Sequence, residues 1–349
     1  ELQWEQSANF DLGLDASFFK NKFYVSGGYF NKLTSQILLT PVVPTVFGGS
    51  VAKENAGKMR NQGWEVTLGY RAKTGEFKHN VNLNIADSKN KVVDFGGNEQ
   101  INSSDQMLKI IREGEALGSY YGYKTDGYFN NYEEIAKAAL PIGATVQPGD
   151  VRYKDQNNDD VIDEKDRRVL GNAFPRYTFG LTYDLTWKGF DFSVLVQGVG
   201  KRDMFLRGEL VEPFHSNYSY VIYQHQLDFW TPVNTDAGWP RLSAPGSASN
   251  TNNFQKSSDI YIFNAAYLRL KNIQLGYTFP KEWCSKIGIQ KLRLSVNAQN
   301  LFTLTKNTFI DPESTEFGSN MGGTGGSGAN SGRNYPTLKY YGFGLDLEL

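Results

Sequence analysis

No run of about 18 apolar residues occurs in these 349 residues, so no stretch is suited to cross a bilayer as a helix. Cysteine is nearly missing. Cys284 stands alone, which excludes an internal disulfide and leaves redox chemistry without a partner thiol. Histidine occurs three times, at His79, His215 and His225, with no metal-ligand rhythm. Neither a nucleophile elbow nor a phosphate-cradling glycine loop is present. Catalysis therefore has no footing, and the chain is expected not to be an enzyme. An excess of charge is missing too: 36 Lys and Arg face 37 Asp and Glu, a net charge of -1, which gives no electrostatic footprint for nucleic acid. No signal peptide opens the chain. It starts in mid-pattern at Glu1-Leu2-Gln3-Trp4, so a portion of a longer protein is expected.

Aromatics and glycine are plentiful: 14% Phe, Trp and Tyr, with 36 Gly. They fall into a pattern of period two. Between Arg176 and Val199, Tyr177, Phe179, Leu181, Tyr183, Leu185 and Trp187 alternate with Thr178, Gly180, Thr182, Asp184 and Thr186. After Lys188-Gly189 the alternation resumes with Phe190, Phe192, Val194 and Val196. One face is oily and the other wet, as in a β-hairpin. Strands of about ten residues are what a tilted crossing of a bilayer needs, roughly twice the usual globular length. The same alternation appears at 10–18, 23–29, 64–70, 77–85, 268–279, 292–298 and 341–349. Along 268–279 the phase flips near Lys271-Asn272, which predicts a bulge.

Nine strands result, joined by two kinds of connection. Short ones lie around Asn21, Thr74 and Lys188 and over 281–290; long ones cover 39–60, 89–175, 201–264 and 305–336. They alternate strictly. Short turns at one end and long loops at the other are the habit of membrane barrels. The fold class expected is all-β, a transmembrane antiparallel β-barrel. An odd count of nine implies further strands, because single-chain bacterial barrels close with an even number. A secreted glycan-binding β-sandwich is the alternative, since it also alternates. A passive porin is another. Trp64, Tyr70, Trp187, Tyr277 and Tyr341, near strand ends, fit interfacial aromatic belts.

The sharpest local motif runs from Asp155 to Asp166. Asp155, Asn157, Asp159, Asp163 and Asp166 occupy positions 1, 3, 5, 9 and 12 of a calcium-type loop, and the Val161 carbonyl falls at position 7. Oxygen donors at that spacing wrap a hard cation, so calcium is the cofactor expected, with affinity of about 0.1–1 mM. Position 6 is Asp160 instead of Gly, and position 12 is Asp instead of the longer Glu. An acidic, solvated loop is the plain alternative.

The long loops also carry Tyr120, Tyr121, Tyr123, Tyr128, Phe129, Tyr218, Tyr220, Tyr223, Phe229, Trp230 and Trp239. Such rings stack on sugars or peptide side chains, but loop packing is the simpler role for any one of them. Asp311 and Glu313 flank Pro312 and are read as turn-formers, not as paired catalytic carboxylates. Met321–Gly328 reads as a flexible glycine linker.

Several stretches resemble one family. They are Asn61-Gln-Gly-Trp-Glu65, Gly149-Asp-Val-Arg-Tyr-Lys-Asp155, Ala266-Tyr-Leu-Arg-Leu-Lys-Asn-Ile-Gln-Leu-Gly-Tyr277, Asn297-Ala-Gln-Asn-Leu-Phe302 and Asp311-Pro-Glu313, with Trp230-Thr-Pro232 before Asn234. In order and together, they resemble the C-terminal part of SusC/RagA-like TonB-dependent outer-membrane transporters. The resemblance implies a plugged barrel of about 22 strands, of which residues 1–349 would be the last nine, with the plug domain absent. It implies TonB-driven import of oligosaccharides or peptides across the cell outer membrane. It also implies a SusD-like surface lipoprotein as partner, TonB contacts through an absent N-terminal region, and outer-membrane lipid around the wall.

Overall fold

A computed structural model describes residues 2–40, 49, 51–104, 107–208, 210–214, 221–314 and 336–349. The wall is one antiparallel sheet of nine strands in chain order. It contains β1 (Gln6–Phe18), β2 (Phe23–Leu39), β3 (Glu54–Thr74) and β4 (Phe77–Phe95). The strands of the next region are short: β5 (Glu99–Ser104), β6 (Met107–Arg112), β7 (Ser119–Gly122), β8 (Thr125–Tyr128), β9 (Leu140–Pro141), β10 (Val151–Tyr153), β11 (Val161–Ile162) and β12 (Arg168–Gly171). The wall resumes with β13 (Arg176–Trp187) and β14 (Phe190–Lys201). A second loop region holds β15 (Asp203–Phe205) and β16 (Ile262–Asn264), and the wall ends with β17 (Tyr267–Thr278), β18 (Lys291–Thr305) and β19 (Tyr340–Glu348). Among the described residues three short helices are α1 (Tyr132–Lys137), α2 (Ala248–Phe254) and α3 (Lys281–Ser285).

The nine expected strands are the nine strands of the wall, and every wall pairing is between antiparallel neighbours. The sheet is open: β1 and β19 are its edges. At the Lys188-Gly189 turn both residues have positive φ (45° and 88°), the twist that suits a two-residue hairpin. The predicted bulge is present. Residue 271 is skipped where Leu270 and Asn272 pair with β14 and β18. Two expected loop boundaries change. β3 already begins at Glu54, inside the expected 39–60 loop, and β4 runs on to Phe95, past Lys89. The alternation fades there because these strand ends carry polar residues on both faces, such as Lys89, Asn90 and Lys91.

Register sorts the side chains. Across the hairpins Leu14 faces Gly27, Val25 faces Leu68, Leu68 faces Leu83 and Leu83 faces Leu181. Leu181 faces Val196, and farther along Phe192 faces Leu275, Leu275 faces Val296 and Val296 faces Phe343. All of these lie on one side. No second layer covers that side among the described residues. Phe10, Leu12, Leu14, Leu294, Phe343 and Leu345 all stay exposed, Phe343 at 92%. A sandwich would bury this row against a second sheet.

The aromatic belts take shape on the same side. Toward the short turns, Phe23 and Tyr70, Phe77 and Trp187, Trp187 and Phe190, Phe190 and Tyr277, Tyr277 and Phe279, and Phe279 and Trp283 are ring neighbours 4.5–6.4 Å apart. Tyr70, Trp187 and Tyr277 belong to this row. Trp64 and Tyr341 lie farther up their strands, toward the long-loop end, where Trp64 pairs with Tyr29.

The loops behave differently. At the long-loop end Met107, Tyr120, Met204, Phe205, Leu206, Val211, Phe254 and Tyr261 are all at most 1% exposed and form one core. Tyr123, Val151, Tyr153 and Ile162 make a second. The long loops are thus a folded layer with its own interior.

Candidate functional site

The polar face of the wall and the loop layer above it are the surfaces that can meet a solute. On the polar face, side chains at alternate positions cross-link neighbouring strands. Asn80 donates to Asp184 at 3.0 Å, Ser193 donates to the other Asp184 oxygen at 2.7 Å, and Tyr24 donates to Asp15 at 3.0 Å. Arg293 forks onto Asp191 through Nε and Nη2 (3.0 and 2.7 Å) and reaches Asp346 through Nη1 at 2.8 Å. Two parallel bonds fix the guanidinium plane. The face is a hydrogen-bonded lattice of Asp, Asn, Ser and Arg.

At the long-loop end Arg269 is the strut between wall and loops. It is 4% exposed, donates to Asp311 at 2.7 Å and to Glu313 at 2.6 Å, and Lys271 also pairs with Glu313. Burial pushes the Asp311 carboxyl up, but Arg269, the Thr337 amide and the Glu313 amide outweigh that and hold it down at about 2. A buried ion pair of this kind costs desolvation, and losing one partner strands the other. Asp311 and Glu313 therefore shape a turn and anchor it, as read from the sequence.

The loop layer is stapled by residues that period-two reasoning does not find. Asp150 is fully buried. It accepts from the Gln147 amide (2.8 Å), Ser249 Oγ (2.9 Å) and Asn253 Nδ2 (3.2 Å), and burial pushes its carboxyl up. Asn253 also accepts from the Val151 amide, while Asn252 donates to the Val151 carbonyl. One signal was available: the Ser/Asn run Ser247-Ala-Ser-Asn-Thr-Asn-Asn253, capped at Ser247, forms α2. It joins the first long loop to the second.

The loop aromatics are mostly interior. Tyr120, Tyr121, Tyr123, Phe129, Trp230 and Trp239 are all buried, Tyr128 and Phe229 partly so. Tyr223 remains exposed, stacked on His225. Tyr218, Tyr220, His215 and the Met321–Gly328 segment lie outside the described residues. His225 binds the Leu210 carbonyl and stacks on Phe309 at 4.3 Å; His79 meets the Tyr183 hydroxyl at 3.0 Å.

The acidic loop is held by its own backbone. Asp155 accepts from the amides of Asn157, Asn158 and Asp160 (3.1, 2.6 and 2.9 Å), and its carboxyl is lowered by these bonds against a burial effect. Asp159 accepts from Val161, and Asp166, 0% exposed, accepts from Gln156 and Asp163 (both 2.8 Å). Asp160 has φ of 63°, the left-handed turn a glycine usually supplies at that position. The Lys165 ammonium lies 3.6 Å from Asp159 and 3.5 Å from Asp163, where a cation would compete. Among the described residues no three acidic or histidine side chains converge as metal ligands. The oxygen types fit calcium; their present partners do not leave them free.

A model of the family "TonB dependent receptor-like, beta-barrel" matches residues 1–301. The chain belongs to that family. It is 29% identical over 365 residues to TonB-dependent receptor P3 of Formosa agariphila, across 99% of this chain and 34% of the relative. It is 25% identical over 331 residues to TonB-dependent receptor SusC of Bacteroides thetaiotaomicron, across 89% of this chain and 30% of that protein. Among solved structures, the RagAB peptide transporter superposes with a TM-score of 0.73 at 21% identity, covering 100% of this chain and 35% of that one. The chain thus spans about a third of the length of these relatives. As part of a TonB-dependent receptor barrel, the wall has one apolar face and one polar, hydrogen-bonded face.

Proposed function

We propose that this chain is part of the wall and outer mouth of an outer-membrane importer. The importer would move oligosaccharides or peptides, driven through TonB and served by a SusD-like lipoprotein over the loop layer. The observation that carries the reading is the one-sided wall: nine strands in register, apolar and exposed on one face, hydrogen-bonded and polar on the other. Lipid would cover the first face and an aqueous path the second. An open sheet leaves two unpaired edges, which hydrocarbon does not tolerate, so residues 1–349 are read as the C-terminal portion of a longer barrel, with the plug elsewhere in the protein. The names of its relatives, TonB-dependent receptor and SusC, support the transport class.

The test uses the full-length protein in cells. Uptake of its solute should vanish on removing TonB or the lipoprotein. Uptake that persists without TonB would make the protein a passive porin instead.

Calcium at 155–166 belongs to this proposal as a loop-fixing ion. Asp155, Asn157, Asp159, the Val161 carbonyl, Asp163 and Asp166 would supply oxygens, sharing or giving up the backbone amides that Asp155, Asp159 and Asp166 now accept. Lys165 would have to swing out, so Lys165→Gln should tighten calcium by several-fold in calorimetry on the full-length protein. No heat from either form removes the ion from the reading.

A further inference from the structure

The apolar side of the wall does not end alike on every strand. On β18, Phe302 and Leu304 carry it up toward the long loops, both more than half exposed. On β3 and β4 it stops at Trp64. Above Trp64 the same face continues as Gln62 opposite Lys89, Arg60 opposite Lys91 and Lys58 opposite Asp94. From Tyr70, in the short-turn aromatic row, to Arg60 is roughly 33 Å along the strand and about 25 Å along the membrane normal at a tilt of about 40°. The apolar band of a barrel is about that tall. Arg60 and Lys91 therefore stand where hydrocarbon gives way to headgroups. Lys58 and Asp94 make a cross-strand ion pair at 2.8 Å. The pair below carries no such match: Arg60 and Lys91 set two cations side by side, and Lys89 adds a third two residues along. Like charges directly opposite destabilise a strand pair. Lys89 and Lys91 are exposed and Arg60 is half-buried, and none of the three side chains has an ion pair or hydrogen bond among the described residues. Lys89 feels Asp87, but Arg176 already forks onto that carboxylate. Glu115 is paired with Arg112, and Glu113 accepts from the Phe95 and Gly97 amides.

We propose that Arg60, Lys89 and Lys91 form a clamp for the phosphate of an outer-leaflet lipid of the lipid A kind. The proposal rests on the outer-membrane reading above and adds a lipid site on the outward side of the wall. A phosphate brings the negative charge that this strand pair lacks. Arginine offers it a planar fork, and the two lysines offer movable point charges. Their long stems lie along the wall and lift the charged heads to headgroup level. Acyl chains joined to that phosphate would run down over Trp64 and Tyr29, which pair in register, and then over Val66 and Leu68. A soluble phosphate meets the same three charges but gains nothing from the apolar strip below them.

The experiment uses the full-length protein extracted in mild detergent and stripped of lipid. Native mass spectrometry follows its titration with lipid A, with lipid A whose phosphates have been removed, and with inorganic phosphate. Lipid A should bind, its dephosphorylated form should bind about tenfold or more weakly, and inorganic phosphate at matched concentration should not displace it. Lys91→Glu should weaken lipid A about tenfold or more. The same change sets a carboxylate opposite Arg60, so thermal unfolding should come at the same temperature or higher, which separates lost binding from lost folding. Lys89→Gln leaves the Arg60–Lys91 pair in place and should weaken lipid A several-fold; it carries the test if the first variant folds poorly. Equal binding of lipid A by the unaltered protein and the variants, or equal binding of the dephosphorylated form, overturns the clamp and leaves the importer standing. Displacement by inorganic phosphate at matched concentration makes the site one for a soluble anion and overturns the lipid. A full-length protein that stays soluble without detergent overturns the outer-membrane reading, and the clamp with it.

Discussion

The wall and the loop layer are made from similar residues and solve opposite problems. Phe343 in the nine-residue β19 is 92% exposed and Phe205 in the three-residue β15 is 1% exposed, yet both are strand phenylalanines of one chain. In the loop layer, apolar rings leave solvent by packing on one another: Tyr120 on Phe205, Phe205 on Tyr261 and Phe254 on Tyr261, with centroids 6.1–6.5 Å apart. In the wall they pack sideways along a single surface and leave their outer faces bare. Burial of an apolar side chain stabilises by about 1.5–3 kcal/mol, a gain the wall can collect only from a solvent that is itself apolar. The difference shows where water ends.

That contrast can be broken from either side. The largest effect is expected in the loop interior. Phe205→Ala should destabilise the loop layer by about 3–5 kcal/mol through the cavity it leaves, seen as early proteolysis of the loops while the wall stays intact. On the wall, Phe343→Arg, between Tyr341 and the level of the short-turn aromatic row, should cost about 2–4 kcal/mol near the bilayer midplane, measured by refolding the full-length protein into lipid. A cost near zero there would mean that lipid does not touch β19. An acid titration comes next. Asp311 holds its proton more weakly when folded than when free, so its stabilising contribution is complete above the ordinary carboxylate range. It is lost as pH falls through about 2. Loop release on acidification, followed by proteolysis or hydrogen exchange at 305–314, should track that fall and weaken in Arg269→Met. The smallest effect is expected at Ile142, which is 82% exposed on the loop layer. Ile142→Ser should change stability by no more than about 0.5 kcal/mol. A larger loss would identify a covered surface.

Period two is a local signal, and what it controls was legible. Trp187, Lys188 and Gly189 announce their own hairpin, and the flipped parity of Leu270 against Ile273 announces its bulge. The family resemblance, too, lay in stretches of local sequence. The loop layer was legible only in composition. Whether Tyr120 stacks on a sugar or on Phe205 depends on a contact 85 residues away in the chain, and no spacing rule encodes it. The same holds for Asp150 and Asn253, joined across two loops. At Asp155–Asp166 the donors were readable, but Lys165 among them was not. Its place depends on the turn of the chain at Glu164–Asp166. The upper ends of β3 and β4 escaped detection because strands flanked by water on both sides lose the alternation that reveals them.

The skipped residue at Lys271 has a consequence for how such a protein can change. Below it Ile273, Leu275 and Tyr277 keep step with the membrane; beyond it Leu268 and Leu270 fall back into step, and Arg269 turns to the interior. Drawing Lys271 into the ladder, with no residue skipped, would aim the buried guanidinium at the apolar side and pull its carboxylate partners loose. The bulge acts as a joint between two independently editable parts. Selection can recut the rim above it while the stave below stays unaltered.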